Sequence, residues 1–201
     1  FLDLNFANAQ ELQNLIQQVI ETQEHLRCEV CVTRNGIKTE YEYLCMPVLT
    51  EAGSSEAVAI IARDVTKRKF TEDESWHNAN YDALTGLPNR RMFMSKIEED
   101  IKHFKRLKLA FALMFIDLDD FKAANDKFGH DSGDELLKQV AERIKLCARE
   151  TDTVARLGGD EFVIIIEQVH DIGDLDSLLK KLMSVTSETV SISEHDISIS
   201  A

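Results

Sequence analysis

Two groups of carboxylates stand where acids are out of place. Asp117, Asp119 and Asp120 follow the apolar run Leu109-Ala-Phe-Ala-Leu-Met-Phe-Ile116, and Asp160 and Glu161 precede a second one, Val163-Ile-Ile-Ile166. Carboxylates brought together repel one another, and a hard divalent cation removes that repulsion. Carboxylate and carbonyl oxygens are the ligands magnesium prefers.

The elements that must position these acids can be read from the same stretches. Val154-Ala155 and Val163-Ile166 flank Gly158-Gly159, a dipeptide that tolerates the positive φ of a tight turn, so a β-hairpin is expected. Asp160 and Glu161 then lie where the second strand leaves the turn and point to opposite faces. The run 109–116 lacks alternation and is expected to be a central strand buried on both faces. If the two strands are neighbours, Asp117 and Asp160 converge.

Gly158-Gly-Asp-Glu-Phe162, Asp117-Leu-Asp-Asp-Phe-Lys-Ala-Ala-Asn125, Phe128-Gly-His-Asp-Ser-Gly-Asp134 and Asp82-Ala-Leu-Thr-Gly-Leu-Pro-Asn-Arg-Arg91 together resemble the GGDEF domain of the diguanylate cyclase family. The resemblance runs from about residue 78 to the end of the chain, short of the family's last strand and helix. It implies an α+β fold of the palm-like, split-βαβ plan shared with nucleotidyl cyclases, incomplete at its C-terminus. It implies condensation of two GTP into cyclic di-GMP with loss of pyrophosphate, by a homodimer in which each domain holds one GTP. The alternative is an inactive domain that binds GTP or cyclic di-GMP as a receptor, against which the intact Asp117, Asp160 and Glu161 argue.

The resemblance also implies residue roles. Asp117, Asp160 and the Leu118 carbonyl would hold magnesium, with manganese as the alternative, and Asp160 or Glu161 would take the proton of the ribose hydroxyl. Asn125 and Asp134 would read guanine, a natural pairing because guanine offers two donors beside an acceptor. Lys122 and the backbone around Phe121 would meet the triphosphate. His130 is as readily structural as ligand-binding, and Asp120 stands where the family often has an apolar residue. Arg149-Glu-Thr-Asp152 has the RxxD form of the family's product-inhibition site, in which Arg149 would grip phosphate and Asp152 guanine. Without that role Arg149 is a cation placed against a helix dipole.

At 201 residues with 44% hydrophobic content, the chain can bury one and a half to two domains. Its net charge of -13 disfavours a nucleic-acid or anionic-membrane partner. No apolar run approaches the roughly 20 residues that span a bilayer. A cytoplasmic location is expected. No signal peptide is legible at Phe1, which reads as an internal start, so an anchor upstream stays open. Cys28, Cys31, Cys45 and Cys147 are too scattered for a disulfide framework. Cys28-Glu-Val-Cys31 has the form of a metal or redox pair but sits in a strand-like run with no second pair.

Three parts are expected: 1–66, 67–81 and 82–201. The first opens with a helix over 8–25, with Leu12, Leu15, Ile16, Val19 and Ile20 on one face. Strands over 25–33, 38–48 and 57–63 follow, joined first by Asn35-Gly36 and then by a loop over 50–55. This antiparallel meander, closing in Asp64-Val-Thr66, resembles the C-terminal half of a PAS sensor domain. The charge-rich stretch 67–81 reads as a linker helix on which Phe70 and Trp76 form either a short coiled-coil seam or a solvated connector. A helix over 89–105, begun by Pro88, places Phe93, Ile97, Ile101 and Phe104 on one stripe. A short helix over 121–127 ends at Gly129. A longer one starts at Ser132 with capping-box spacing to Glu135 and buries Leu137, Val140, Ile144 and Cys147. A helix over 175–187 turns Leu175, Leu178, Leu179 and Leu182 inward, and strands over 189–193 and 196–200 end the chain.

Overall fold

The structure is a computed structural model that describes residues 9–50, 55–169, 171–192, 195–197 and 199–201. Residues 51–54 of the loop expected over 50–55, the side chain of Leu12 and parts of the last two strands lie outside the described residues. The chain divides into two compact units, Phe1–Ser75 and Trp76–Ala201.

In the first unit, helix α1 (Ala9–Thr22) lies on a meander of β1 (Leu26–Arg34), β2 (Ile37–Leu49) and β3 (Ser55–Asp64) in the order β1-β2-β3, all antiparallel. Asn35 and Gly36 both take positive φ, 52° and 78°, the pair of left-handed residues that a two-residue hairpin turn of matching twist requires. Val19 on α1 and Tyr43 and Cys45 on β2 are buried, so the apolar stripe of the helix and alternate residues of the strand supply this core. Cys28 is half-buried and Cys31 exposed, as residues three apart on a strand must be when the two faces differ. Burial pushes the Cys28 and Cys45 thiols up, away from the reactive thiolate.

Helix α2 (Thr66–Asn80) begins on this unit through Asp64-Val-Thr66. The Asp64 carboxylate accepts from the Thr66 N–H at 2.9 Å, the Thr66 hydroxyl accepts from the Glu40 N–H at 2.9 Å, and the Val65 N–H donates to the Glu40 carbonyl at 2.8 Å. The helix start is therefore pinned to β2. None of its side chains is buried, and Phe70 is exposed.

The second unit carries α3 (Arg90–Leu107), β4 (Ala112–Asp117), α4 (Phe121–Phe128), α5 (His130–Cys147), β5 (Thr153–Gly158), β6 (Glu161–Ile166), α6 (Ile172–Thr186), β7 (Val190–Ile192) and β8 (His195–Ile197). Its main sheet runs β4-β6-β5, antiparallel, and β7 pairs with β8. This is the expected α+β arrangement of strands, helices and a returning hairpin. Along β6 the pleat sends Phe162, Ile164 and Ile166 into a core built with α5, while Val163 and Ile165 join Phe93 and Ile97 of α3 on the other face. Leu136, Leu137, Val140, Ala141 and Ile144 of α5 are almost fully buried, each larger side chain stabilising the fold by about 1.5–3 kcal/mol relative to exposure.

Several expectations are corrected. The strand buried on both faces is β6, whereas β4 lies at the end of the described sheet with Leu113 and Phe115 exposed. An apolar run shows that a strand is apolar; it does not say how many neighbours will cover it. On α3 the buried stripe is Phe93, Ile97, Asp100 and Phe104, and Ile101 is exposed, because one residue of offset rotates a side chain by about 100° around the helix. Asn89 caps α3, its side chain accepting from the Arg91 and Met92 N–H groups, and Pro88 precedes the cap instead of occupying the first helical position. Helix α5 starts at His130, two residues before Ser132. The Ser132 hydroxyl donates to the Phe128 carbonyl at 2.9 Å, which ties the first turn of α5 back to the end of α4 and is not a cap. On α6 the N-cap is Asp171, Leu182 is buried, and Leu179 faces solvent.

Candidate functional site

The β5–β6 hairpin delivers the acids. Its turn residues are Gly159 and Asp160, one position later than the expected Gly158-Gly159, so Asp160 lies in the turn and not on the outgoing strand; φ is 141° at Gly158 and 55° at Gly159, values that a side chain would disfavour. A bulge between Arg156 and Gly158 ends regular pairing and re-aims the chain. In the ladder between β4 and β6, Asp117 lies opposite Glu161, and Asp160 adjoins it in the turn. Asp117 and Glu161 are thus cross-strand neighbours, about 4.5–5.5 Å apart at Cβ. The sequence suggested that Asp117 and Asp160 converge; the ladder pairs Asp117 with Glu161 and leaves Asp160 next to that pair in the turn. Like charges in this position repel, and Arg90 Nη2 at 3.5 Å from Glu161 Oε2 offsets this only weakly because both side chains are exposed.

This donor set fits a hard cation. Two carboxylates and the carbonyl of Leu118, whose side chain is buried and so holds the backbone still, offer oxygen ligands at the exposed end of two strands. Among the described residues no three or more His, Cys, Asp and Glu side chains are grouped so that they alone could hold a metal ion. An open set of few protein ligands suits magnesium, which keeps waters and takes phosphate oxygens beside one or two carboxylates.

The hairpin is strapped from behind by a residue that sequence reasoning did not single out. Arg156 is buried; its Nε and Nη2 donate to the Gly159 carbonyl at 2.9 and 2.7 Å, and its Nη1 donates to Asp82 Oδ1 at 2.8 Å. Asp82 Oδ1 also accepts from the Thr85 N–H and hydroxyl, at 2.9 and 2.7 Å. Burial alone would raise the Asp82 pKa, but the bonds from Thr85 and Arg156 outweigh it and hold the carboxyl below its ordinary value. The Arg156 N–H donates to the Pro88 carbonyl at 2.9 Å. The turn that opens the second unit therefore braces the turn that carries the acids, 74 residues away. The only signal in the sequence was an arginine ahead of the glycine pair.

Across the sheet end, α4 begins at Phe121 behind Asp120, which has left-handed φ of 57° and does not cap the helix with its side chain. The first N–H groups of α4 are thus left for another acceptor, the usual anion site of a helix start. Phe121 is buried and Lys122 exposed. Asn125, in the second turn of α4, is half-buried with its Oδ1 enclosed and unpartnered. Asp134 and His130 are exposed on the first turns of α5. The Asp119 N–H donates to the Ser200 carbonyl at 2.8 Å, so the chain end returns beside the acids.

Arg149 and Asp152 lie in the loop between α5 and β5, lining a cavity with Cys147, Gln168, Leu178 and Lys181. The Asp152 carboxylate holds this loop, accepting from the Arg149 N–H at 2.8 Å and the Glu167 N–H at 3.2 Å.

Comparison with known proteins identifies the family and the fold. The family described as "Diguanylate cyclase, GGDEF domain" matches residues 79–201. The chain belongs to that family. A PAS fold matches residues 3–69. The bifunctional diguanylate cyclase/cyclic di-GMP phosphodiesterase MucR of Pseudomonas aeruginosa is 47% identical over 123 residues, 61% of this chain and 18% of MucR. The chain thus spans less than a fifth of that relative. Diguanylate cyclase SiaD of P. aeruginosa, solved with its activator SiaC, superposes with a TM-score of 0.58 at 30% identity, over 67% of this chain and 53% of that one. The GGDEF domain of DgcB from Caulobacter crescentus, solved with c-di-GMP, gives a TM-score of 0.58 at 27% identity over 61% and 73%.

Proposed function

We propose that this protein is a diguanylate cyclase, condensing two GTP into cyclic di-GMP under the control of its PAS-like unit. The observation that carries the reading is the register of β4 against β6, which faces Asp117 with Glu161 and sets Asp160 beside them. Magnesium held by Asp117, Asp160 and the Leu118 carbonyl would neutralise the phosphates of bound GTP. Asp160 or Glu161 accepts the proton of the ribose 3′-hydroxyl as it attacks the α-phosphate of the second GTP. Lys122 and the N–H groups at Phe121 orient the triphosphate. Asp134 accepts from the guanine N1–H and amino group, Asn125 supplies the complementary carboxamide, and His130 borders the base. One domain binds one GTP, so two chains face each other to react. Residues 1–66 sense, 67–81 connect and 82–201 catalyse, while Arg149 and Asp152 hold product that restrains turnover.

The test is incubation with GTP and magnesium, followed by mass analysis. Cyclic di-GMP with stoichiometric pyrophosphate is expected, and Asp160→Asn should lower the rate at least a hundredfold with unchanged thermal stability, because it removes a charge and no core volume. GTP binding without any product in the unaltered chain would replace the cyclase with a receptor.

A further inference from the structure

We infer that Gly133 is the residue that admits the Asn125 carboxamide to its base-reading position, and so sets guanine preference without touching the nucleotide. The inference rests on the assignment of Asn125 as a guanine contact made above. Gly133 is buried in the first turns of α5 and has no unusual φ, so its backbone does not call for glycine. A glycine within a helix costs about 1 kcal/mol relative to alanine, which needs a return elsewhere. The return is space. A Cβ at this position would lie 1.7 Å from Asn125 Oδ1, 2.8 Å from its Cγ and 3.3 Å from its Nδ2. No side chain survives such an overlap, so any residue but glycine expels the carboxamide.

The contact also explains the enclosed Oδ1. Asn125 lies in the second turn of α4, where its own carbonyl accepts from the N–H of the C-cap Gly129 at 2.8 Å, and its Oδ1 is covered with no hydrogen-bond partner. The amide is pressed onto α5 at Gly133 by packing, not held by a polar bond. With Oδ1 enclosed, the Nδ2 hydrogens are the part of the group free to donate to an acceptor on a base. Asp134, the other proposed guanine contact, is the next residue on α5, so one helix start positions both partners: one by presenting its side chain, the other by lacking one.

The experiment measures affinity of the full chain, with magnesium, for α,β-methylene analogues of GTP and ATP, whose bridging carbon blocks pyrophosphate release. Gly133→Ala should weaken the guanine analogue about tenfold, the size of one lost hydrogen bond, and leave the adenine analogue within about twofold. Asn125→Ala should do the same, and the double variant should match either single, since both remove one contact. Gly133→Ala should keep or slightly raise the melting temperature, because alanine favours the helix and the obstructed atoms are the movable end of a side chain. The double variant keeps the test open if the single one folds poorly. If Asn125→Ala loses guanine preference while Gly133→Ala retains it, or the two losses add, the role of Gly133 is refuted and base reading by Asn125 stands. If Asn125→Ala itself keeps full preference, the base-reading assignment falls and the selectivity role of Gly133 falls with it.

Discussion

Arg156 shows how a residue outside the chemistry can decide it. Its guanidinium spends three donors on two acceptors, the Gly159 carbonyl and Asp82, so the turn bearing Asp160 cannot shift without breaking charge-assisted bonds. Arg156→Met should cost about 2–4 kcal/mol, read as a lower melting temperature of the second unit, since it strands a partly buried carboxylate. Asp82 adds a pH signature. Its folded pKa is depressed, so its contribution is complete above the unfolded value of about 3.9 and is lost as pH falls through the folded one. The melting-temperature gap between the unaltered chain and Asp82→Asn should therefore hold steady from pH 7 to about 5 and close at lower pH. A gap that widens in acid would contradict the strap.

Among the elements, α3 separates periodicity from burial. Its stripe runs through Phe93, Ile97, Asp100 and Phe104, with Asp100 accepting from Lys96 Nζ at 2.9 Å and Lys96 reaching Glu167 at 3.3 Å. The bond to Asp100 raises the Lys96 pKa against the lowering effect of burial, keeping the ammonium charged beside two acids. Ile97→Ala should cost about 2–4 kcal/mol and Ile101→Ala no more than about 0.5 kcal/mol, measured by urea unfolding. Equal costs would return Ile101 to the core. The pattern of apolar residues allowed either phase of the helix. Only packing against the sheet selects the one with a carboxylate inside, where Lys96 of the same helix bridges Asp100 to Glu167.

At the scale of the whole molecule, the proposed feedback can be tested through one side chain. The Asp152 carboxylate holds its loop through two backbone N–H groups, so its removal would confuse binding with folding. Arg149→Ala keeps the backbone N–H that Asp152 accepts and is the cleaner variant. It should leave the initial rate unchanged and raise product at late times, with a coupling of about 1–3 kcal/mol between product site and turnover. Progress curves that superimpose up to high product concentration would make the RxxD spacing accidental.

What the sequence determined by itself is local. The Asn35-Gly36 turn, a hairpin at the 158–159 glycine pair, the stripe of α5, the short α4 ending at Gly129 and the acids at two strand ends all follow from φ preferences and periods carried by adjacent residues. These were also enough to reveal the family. The tertiary structure decided what depends on distant partners: that β6 and not β4 is covered on both faces, that Asp117 faces Glu161, that Asp82 holds Arg156, and that Asn125 rests on Gly133. A residue's covalent structure sets the conformations open to it, whereas burial and pairing are set by residues tens of positions away, whose approach appears only when the chain has closed on itself.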